Sequence, residues 1–395
     1  MQGGIRSALK GVRVADFSQI GAGPTCSMFL GDFGADVIKI EPPRGDLGRT
    51  LGPPWNAENE SSVFVAFNRN KRSIALDLKN PGMLGVARRL IERSDVVVES
   101  FRPGVMDRLG LGPQAMRQLN PRLIYCSVSA YGASGPKAEH GGVDGIVQAV
   151  SGLMSLIGEE GGAPAKVQAP VVDIVTGYIA TIAVLTQLYA RKVSGAGAVL
   201  DISMLASAVA LQQSSFAGYL ATGELPKRSG SGAPYSAPNE AFETSDGWIM
   251  VAAYHGRRWE RLCEILGTEN MTSDPRFASS SARVHNRLEM RHLLGDVFRS
   301  QTSEHWLRRL EAADILCCRV NNYDDVVSDP QIDHLGIIAS TARSDGSILR
   351  MPGQPINSIE SQMTPHRAPP HRSEHAVEIL AELGYSSDEA RGLHV

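Results

Sequence analysis

Little in this chain points to a polyanionic macromolecule. Its 39 basic residues face 42 acidic ones, and the near-balance predicts neither a nucleic-acid partner nor attachment to a membrane surface. Cysteine is scarce. Cys26, Cys126, Cys263, Cys317 and Cys318 are odd in number and scattered, which fits reduced thiols in a cytoplasm better than a disulfide framework. Only Cys317 and Cys318 adjoin, and that is not zinc-ligand spacing, so no metal site is expected. The opening MQGGIRSALKG lacks an apolar signal core, which predicts a cytoplasmic protein. Two uncharged runs, Ile174 to Ala190 and Ile202 to Gly223, carry Thr, Ser or Gln along with Gly. The first is shorter than the roughly 20 residues a span needs, and both read as buried helices. No G-x-S-x-G elbow occurs, which argues against serine-hydrolase chemistry.

What is present describes a globular protein, with 43% apolar and 21% charged residues. A chain of 395 residues exceeds what one core usually supports, so two domains are expected. Strand patterns at Val12–Ser18, Asp36–Glu41, Ser73–Leu78, Asp95–Ser100, Leu123–Ala130 and Val199–Ser203 alternate with helical ones. The helices fall at Thr25–Phe33, Pro81–Arg93, Val143–Leu156 and Ile174–Lys192, and Asn80-Pro81 supplies a cap and a first helical residue. This alternation predicts an α/β domain with a parallel sheet covered on both faces, over residues 1–222. Residues 223–240 are rich in Gly, Ser and Pro and read as a linker or mobile loop. A hairpin around Ser245-Asp246-Gly247 and helices at Arg257–Leu266, Arg287–Phe298 and Glu304–Ala312 predict a smaller α+β domain over 241–322. The tail, 323–395, holds two strand-like pieces and a final helix, His375–Leu383.

The stretch from Val12 to Asp46 reads as strand, Gly-rich turn, helix and a second strand ending in acid. Gly21-Ala22-Gly23 and Glu41 resemble a dinucleotide fingerprint. Cys26 stands where the third glycine belongs, and Pro24 removes an N–H that would face a pyrophosphate. A ligand other than NAD is therefore favoured. Asp173 follows the apolar run Val171-Val172, read as extended, and precedes a long apolar helix. It is either the cap of that helix or a carboxylate facing a ligand crevice. The sequence Tyr254-His255-Gly256-Arg257-Arg258 reads as a helix-start loop, and the four tryptophans as packing residues.

DFSQIGAGP, ADVIKIEPPRGD, NRNKRSIALDL (Asn68 to Leu78), DVVVESFRPGVMDRLGL (Asp95 to Leu111) and PVVDIVTG (Pro170 to Gly177) follow one another in an order and spacing similar to the class III CoA-transferase family. That family includes formyl-CoA transferase and the α-methylacyl-CoA racemases, and the resemblance runs from Leu9 to the C-terminal HRSEHAVEILAELGYS. It implies a Rossmann-like parallel-sheet large domain, a small α+β domain, a tail that returns to the large domain, and an interlocked homodimer. It also implies that coenzyme A thioesters and carboxylic acids are the substrates, with no resident cofactor.

By the same resemblance Asp173 matches the nucleophile, which attacks an acyl-CoA to give a mixed anhydride and then an aspartyl-CoA thioester. Gly230 and Gly232 resemble, in shortened form, the family's glycine loop; plain linker flexibility is the alternative. The racemase branch carries a His-Asp pair where this chain has Val143-Asp144, so the His is absent and transfer is favoured over racemisation. His140, three residues before, reads as a surface histidine, and Asp144 as a group that orients the substrate or polar neighbours. Coenzyme A contacts are implied at Ile20 and Ala22 for the pantetheine, Leu76 and Lys79 for the adenine, and Ser100, Phe101 and Arg108 for the arm and phosphates. Lys71, Arg72 and Arg102 join them as cations placed to meet phosphates. The chain departs from the family pattern at Gly21, Pro42 and Gly141, with Arg44 as a substitute for the second. Those departures point away from formyl or oxalate substrates and toward another acid, such as a larger dicarboxylate. Racemase activity and a catalytically silent CoA-binding protein remain the alternatives.

Overall fold

The computed structural model describes residues 4–56, 59–356 and 367–393. Six strands form the main sheet: β1 (Arg13–Asp16), β2 (Asp36–Glu41), β3 (Lys71–Ala75), β4 (Val96–Glu99), β5 (Ile124–Ser129) and β6 (Val199–Ser203). Residue character along these strands decides the architecture. Val14, Val37, Val96, Val98, Ile124 and Cys126 lie in one apolar layer, and Ala15, Ile38, Ile40, Ile74, Val97 and Tyr125 in the other. Successive side chains of a strand point to opposite faces, so strands apolar at nearly every position must be covered on both. Helices Ala22–Asp32 and Val171–Ser194 close the first layer. Helices Pro81–Glu92 and Ala376–Glu382 close the second.

All six strands are parallel, in the order β3-β2-β1-β4-β5-β6. Strand order reverses between β1 and β4, and in such sheets the crevice at the carboxyl ends beside that reversal is the natural ligand site. The loops after β1, β4 and β5 therefore matter most.

The chain divides into two compact units. One comprises Met1–Leu153, Val167–Phe216 and Pro330–Val395, the other Met154–Lys166 and Ala217–Asp329. The divisions fall at 216 and 329, where the sequence suggested 222 and 322, and residues 154–166 join the second unit. That unit is built on the antiparallel strands β7 (Asn239–Thr244), β8 (Gly247–Ala252) and β9 (Leu316–Arg319). Its core includes Phe242, Ile249, Trp259, Leu294, Phe298, Trp306 and Leu310. Arg283 is buried there, satisfied by the carbonyls of Ala237, Phe277 and Tyr254. In the first unit, β10 (Ile338–Ala342) and β11 (Ile348–Pro352) form a hairpin.

Several expectations change. Val171 and Val172 are helical, because the helix begins immediately after Pro170 rather than at Ile174. It runs 24 residues, long and apolar enough to cross a membrane by length and composition alone. One side of it packs in the core through Val172, Thr176, Ala180, Val184 and Leu188, while Ile182, Tyr189 and Val193 are exposed. The run after Ile202 is not a buried helix throughout: Gln213–Thr222 buries no residue. Residues 223–240 are tied down within the second unit, with Gly230 N–H donating to Gly158 O at 2.9 Å and Arg228 to Gly162 O at 2.6 Å. Trp55 and Trp248 are 42% and 46% exposed, so only Trp259 and Trp306 are core residues.

Candidate active site

The β1–α turn is set by a buried ionic cluster. Asp16, fully buried at the end of β1, pairs with Lys71 at 3.0 Å and accepts from Ser27 at 2.6 Å. Burial works against its charge, but Lys71 and Lys39 outweigh that and hold Asp16 down at about 2. Lys39 in turn donates to Ser18 O at 2.9 Å and pairs with Asp46 at 2.6 Å. Asp46 accepts from Ile20 N–H at 3.2 Å. Ile20 sits at φ 68, a left-handed conformation that costs a β-branched residue about 1–3 kcal/mol. The ionic cluster holds it there. The chain then enters helix Ala22–Asp32, which has no side-chain cap. Ala22 and Gly23 line the crevice, and their first-turn N–H groups, with no acceptor inside the helix, are available as donors to an anion or oxyanion.

Asp173 meets this turn from the first turn of helix Val171–Ser194. The two helices touch where neither carries bulk: a Cβ on Gly177 would lie 2.4 Å from Thr25 Cβ, and one on Gly21 would lie 2.4 Å from Asp173 Oδ2. Asp173 is not the cap of its helix. Pro170 holds the cap position and offers no side-chain bond, and the free N–H groups are met from elsewhere. Asp144 Oδ2 accepts from Val172 N–H at 2.8 Å and from Asp173 N–H at 3.3 Å. Its other oxygen accepts from Gln148, whose amide also grips Val167 N–H and O. Asp144 therefore orients the nucleophile candidate's backbone, an external cap from a second helix.

The Asp173 carboxylate is left without a hydrogen bond from the described residues. Burial, and next the nearby Asp144 charge, push it up to about 7. It opens on a cavity of about 260 Å³ that is also lined by Ile20, Ala22, Ser100, Phe101, Gly142 and Val143. Ser100 Oγ accepts from Gln19 N–H at 3.1 Å, which joins the loops after β1 and β4. Glu99, pushed up to about 7 by burial, accepts from Phe101 N–H at 2.9 Å and fixes the start of the β4 loop. A larger cleft of about 520 Å³ shares Ser100, Phe101, Gly142 and Val143 and continues past Arg102 and His140.

Four of the residues expected to contact coenzyme A, namely Ile20, Ala22, Ser100 and Phe101, thus share one cavity with Asp173. Arg44, Lys79 and Arg108 are exposed and line neither space. Three expectations need correction. Lys71 is fully buried against Asp16, so it cannot meet a phosphate. Arg72 is 5% exposed and saturated by Asp36, Glu378 and Glu382 at 2.7–2.8 Å. Leu76 is packed in the core. Gly230 and Gly232 belong to the second unit, where a Cβ on either would strike Glu159 or Arg287. His140 is exposed and stacks edge-on against Tyr131. His255 immediately precedes a helix and Arg258 pairs with Asp314, as a helix-start loop would have them. Among the described residues no cluster of metal-ligating side chains occurs. The roles of Asp46 and Glu99 go beyond the sequence reading: Glu99 closes β4, and Asp46 follows β2 in the loop, where it caps the short 3-10 helix Leu47–Thr50.

An open parallel sheet with a buried carboxylate beside its strand-order reversal defines an α/β protein whose ligand crevice lies at the carboxyl ends of its strands. Comparison with known proteins makes this particular. Residues 9–376 match the model of CoA-transferase family III, and the chain belongs to that family. It is 34% identical to human succinyl-CoA:glutarate CoA-transferase, over 97% of this chain and 88% of the relative. It is 35% identical to succinate–glutarate CoA-transferase of Agrobacterium fabrum, over 95% of each. A CAIB/BAIF family protein from Brucella suis has the same fold, with a TM-score of 0.85 and 34% identity over 95% of this chain and 99% of that one. The protein is a CoA-transferase, and acyl-CoA and a carboxylic acid are its substrates.

Proposed function

We propose that the protein moves coenzyme A from an acyl-CoA donor such as succinyl-CoA to a dicarboxylic acid, with Asp173 as the covalent relay. The carrying observation is the state of that carboxylate: buried, without a hydrogen-bond donor, and open to the cavity. A carboxylate relieved of solvent and hydrogen bonds is a better nucleophile than one in water. It attacks the thioester carbonyl and expels CoA thiolate, giving a mixed anhydride. The thiolate attacks the aspartyl carbonyl of that anhydride and releases the donor acid, leaving an aspartyl-CoA thioester. The acceptor carboxylate attacks that thioester, again through an anhydride, and the returning thiolate forms the new acyl-CoA while Asp173 is regenerated. Ala22 and Gly23 N–H groups support the oxyanions. The names of the two relatives favour succinate and glutarate as the acids.

A homodimer belongs to the same reading, supported by Ile182, Tyr189 and Val193 standing 63%, 73% and 87% exposed on one apolar helix. Racemisation is disfavoured because Val143, with no proton to exchange, lines the cavity where a base would be needed. The test is intact-mass analysis after incubation with succinyl-CoA and hydroxylamine trapping. An adduct mapped to Asp173 is expected; transfer that persists in Asp173→Asn would overturn the reading.

A further inference from the structure

A single helical turn grips both ends of the chain that leads into Asp173. Asp144 and Gln148 stand four residues apart on helix Asp144–Val150 and so share a face. Gln148 is fully buried and lines neither the cavity nor the larger cleft. Its Nε2 donates to Asp144 Oδ1 at 2.5 Å and to Val167 O at 3.0 Å, while its Oε1 accepts from Val167 N–H at 2.9 Å. Turning the amide over would set its oxygen against two acceptors and its nitrogen against a donor, so this orientation is fixed. The other Asp144 oxygen accepts from Val172 and Asp173 N–H. The stretch 167–173 is thus held at its first residue by Gln148 and at its last two by Asp144. Pro170, between them, has no N–H to divert either group. On the apolar side of the same turn, Val147 and Val172 belong to one buried cluster.

We propose that Gln148 is a positioning residue for acyl transfer, holding Asp144 in its capping role and thereby setting where the Asp173 carboxylate stands when it attacks. This rests on the reading of Asp173 as nucleophile and extends it to a side chain that touches no substrate. Without the amide, the buried Oδ1 of Asp144 loses its donor, and the carboxyl turns to find another at the expense of the Val172 and Asp173 N–H groups. The first turn of the helix then carries Asp173 out of line, and a displacement of about 1 Å at a reacting group is worth about 10²-fold in rate. Ser100, Phe101 and the other cavity residues are untouched by the change, so substrate binding is spared.

The experiment compares wild type with Gln148→Leu and Gln148→Glu, and uses Asp173→Asn as the reference for the nucleophile. Transfer from succinyl-CoA to glutarate is followed from about pH 6 to about pH 9, with calorimetric titration of coenzyme A into each form. Gln148→Leu, similar in size but without hydrogen bonds, is expected to lower kcat about 10²-fold and to leave KM for succinyl-CoA and the affinity for coenzyme A little changed. In Gln148→Glu the introduced carboxyl, buried beside Asp144, holds a proton near neutrality and donates as the amide did. Once ionised it cannot, so the ratio of its kcat to that of wild type should fall as pH rises. Normal kcat in Gln148→Leu would overturn the proposal. Equal losses in both variants at every pH would also overturn it, since damaged packing alone gives that result, and weakened coenzyme binding would make the clamp part of the coenzyme site instead. Should Gln148→Leu fail to fold, the pH trend of Gln148→Glu decides alone. Transfer that persists in Asp173→Asn would remove the nucleophile reading and this proposal with it, whereas an inactive Asp173→Asn beside a normal Gln148→Leu would remove this proposal only.

Discussion

Replacing Asp173 by asparagine is expected to remove turnover and to stabilise the protein, and both effects have one origin. The substitution keeps the shape of the side chain, and the carboxylate has no hydrogen bond from the described residues to lose. What changes is the charge. A carboxyl that ordinarily titrates at 3.8 is raised to about 7, because burial and the nearby Asp144 disfavour its ionised form. The native state therefore holds a proton that the unfolded chain releases, and stability is lost as pH climbs from about 4 to about 7. Above that window the ionised group costs the fold on the order of 4 kcal/mol, and local relaxation would reduce this. Asparagine does not titrate and escapes the cost. Urea unfolding of wild type and variant at about pH 8 should show the variant ahead by about 2 kcal/mol or more, with the lead nearly gone at about pH 4.5. Activity of the variant at pH 8 should fall by a factor of about 10³ or more. An equal lead at both pH values, or none at pH 8, would refute the electrostatic reasoning.

Two other outcomes follow from the same geometry. The kcat/KM of wild type should rise with pH through about 7, dropping about tenfold for each unit below it, as the attacking group must be ionised; Asp144→Asn should move that inflection lower by removing the like charge, and an unmoved inflection would assign it to another group. Gly21→Ala should cost on the order of 10²-fold in kcat by displacing the carboxylate, because the added Cβ would lie 2.4 Å from Asp173 Oδ2 and 3.0 Å from its Cβ; near-normal turnover would show that Asp173 need not stand where it does.

Much of this was legible in the linear chain, for identifiable reasons. β2 and β6 match their expected limits because apolar residues recur along them, with Pro42-Pro43 ending β2 and the Ser203 cap of the next helix ending β6. The Asn80 cap is local, its side chain accepting from Gly82 and Met83 N–H, and so it was visible. What was hidden depends on distant partners. Val171 and Val172 looked extended, but a capping carboxylate supplied from Asp144 allows helix to begin there. Lys71 and Arg72 looked like free cations near a loop; their partners lie at Asp16 and at Glu378 and Glu382, far along the chain. The Gly- and Ser-rich segment looked mobile, yet its Gly230 N–H donates to Gly158 O and its Arg228 guanidinium to Gly162 O. Strand β9 escaped notice because Cys317 and Cys318 carry little strand signal without the β8 edge they join.

The division of the chain bears on the order in which it can fold during synthesis. One face of the main sheet is finished by Ile379, Leu380 and Leu383, and Arg72 is neutralised by Glu378 and Glu382. The second unit, by contrast, is complete once Asp329 has been made. A nascent chain that has already emerged through β6 therefore carries a partly covered apolar face and an arginine paired with Asp36 alone while the later unit assembles. The part that holds the chemistry is begun first and closed last, and until residue 383 leaves the ribosome it is the segment most in need of a chaperone.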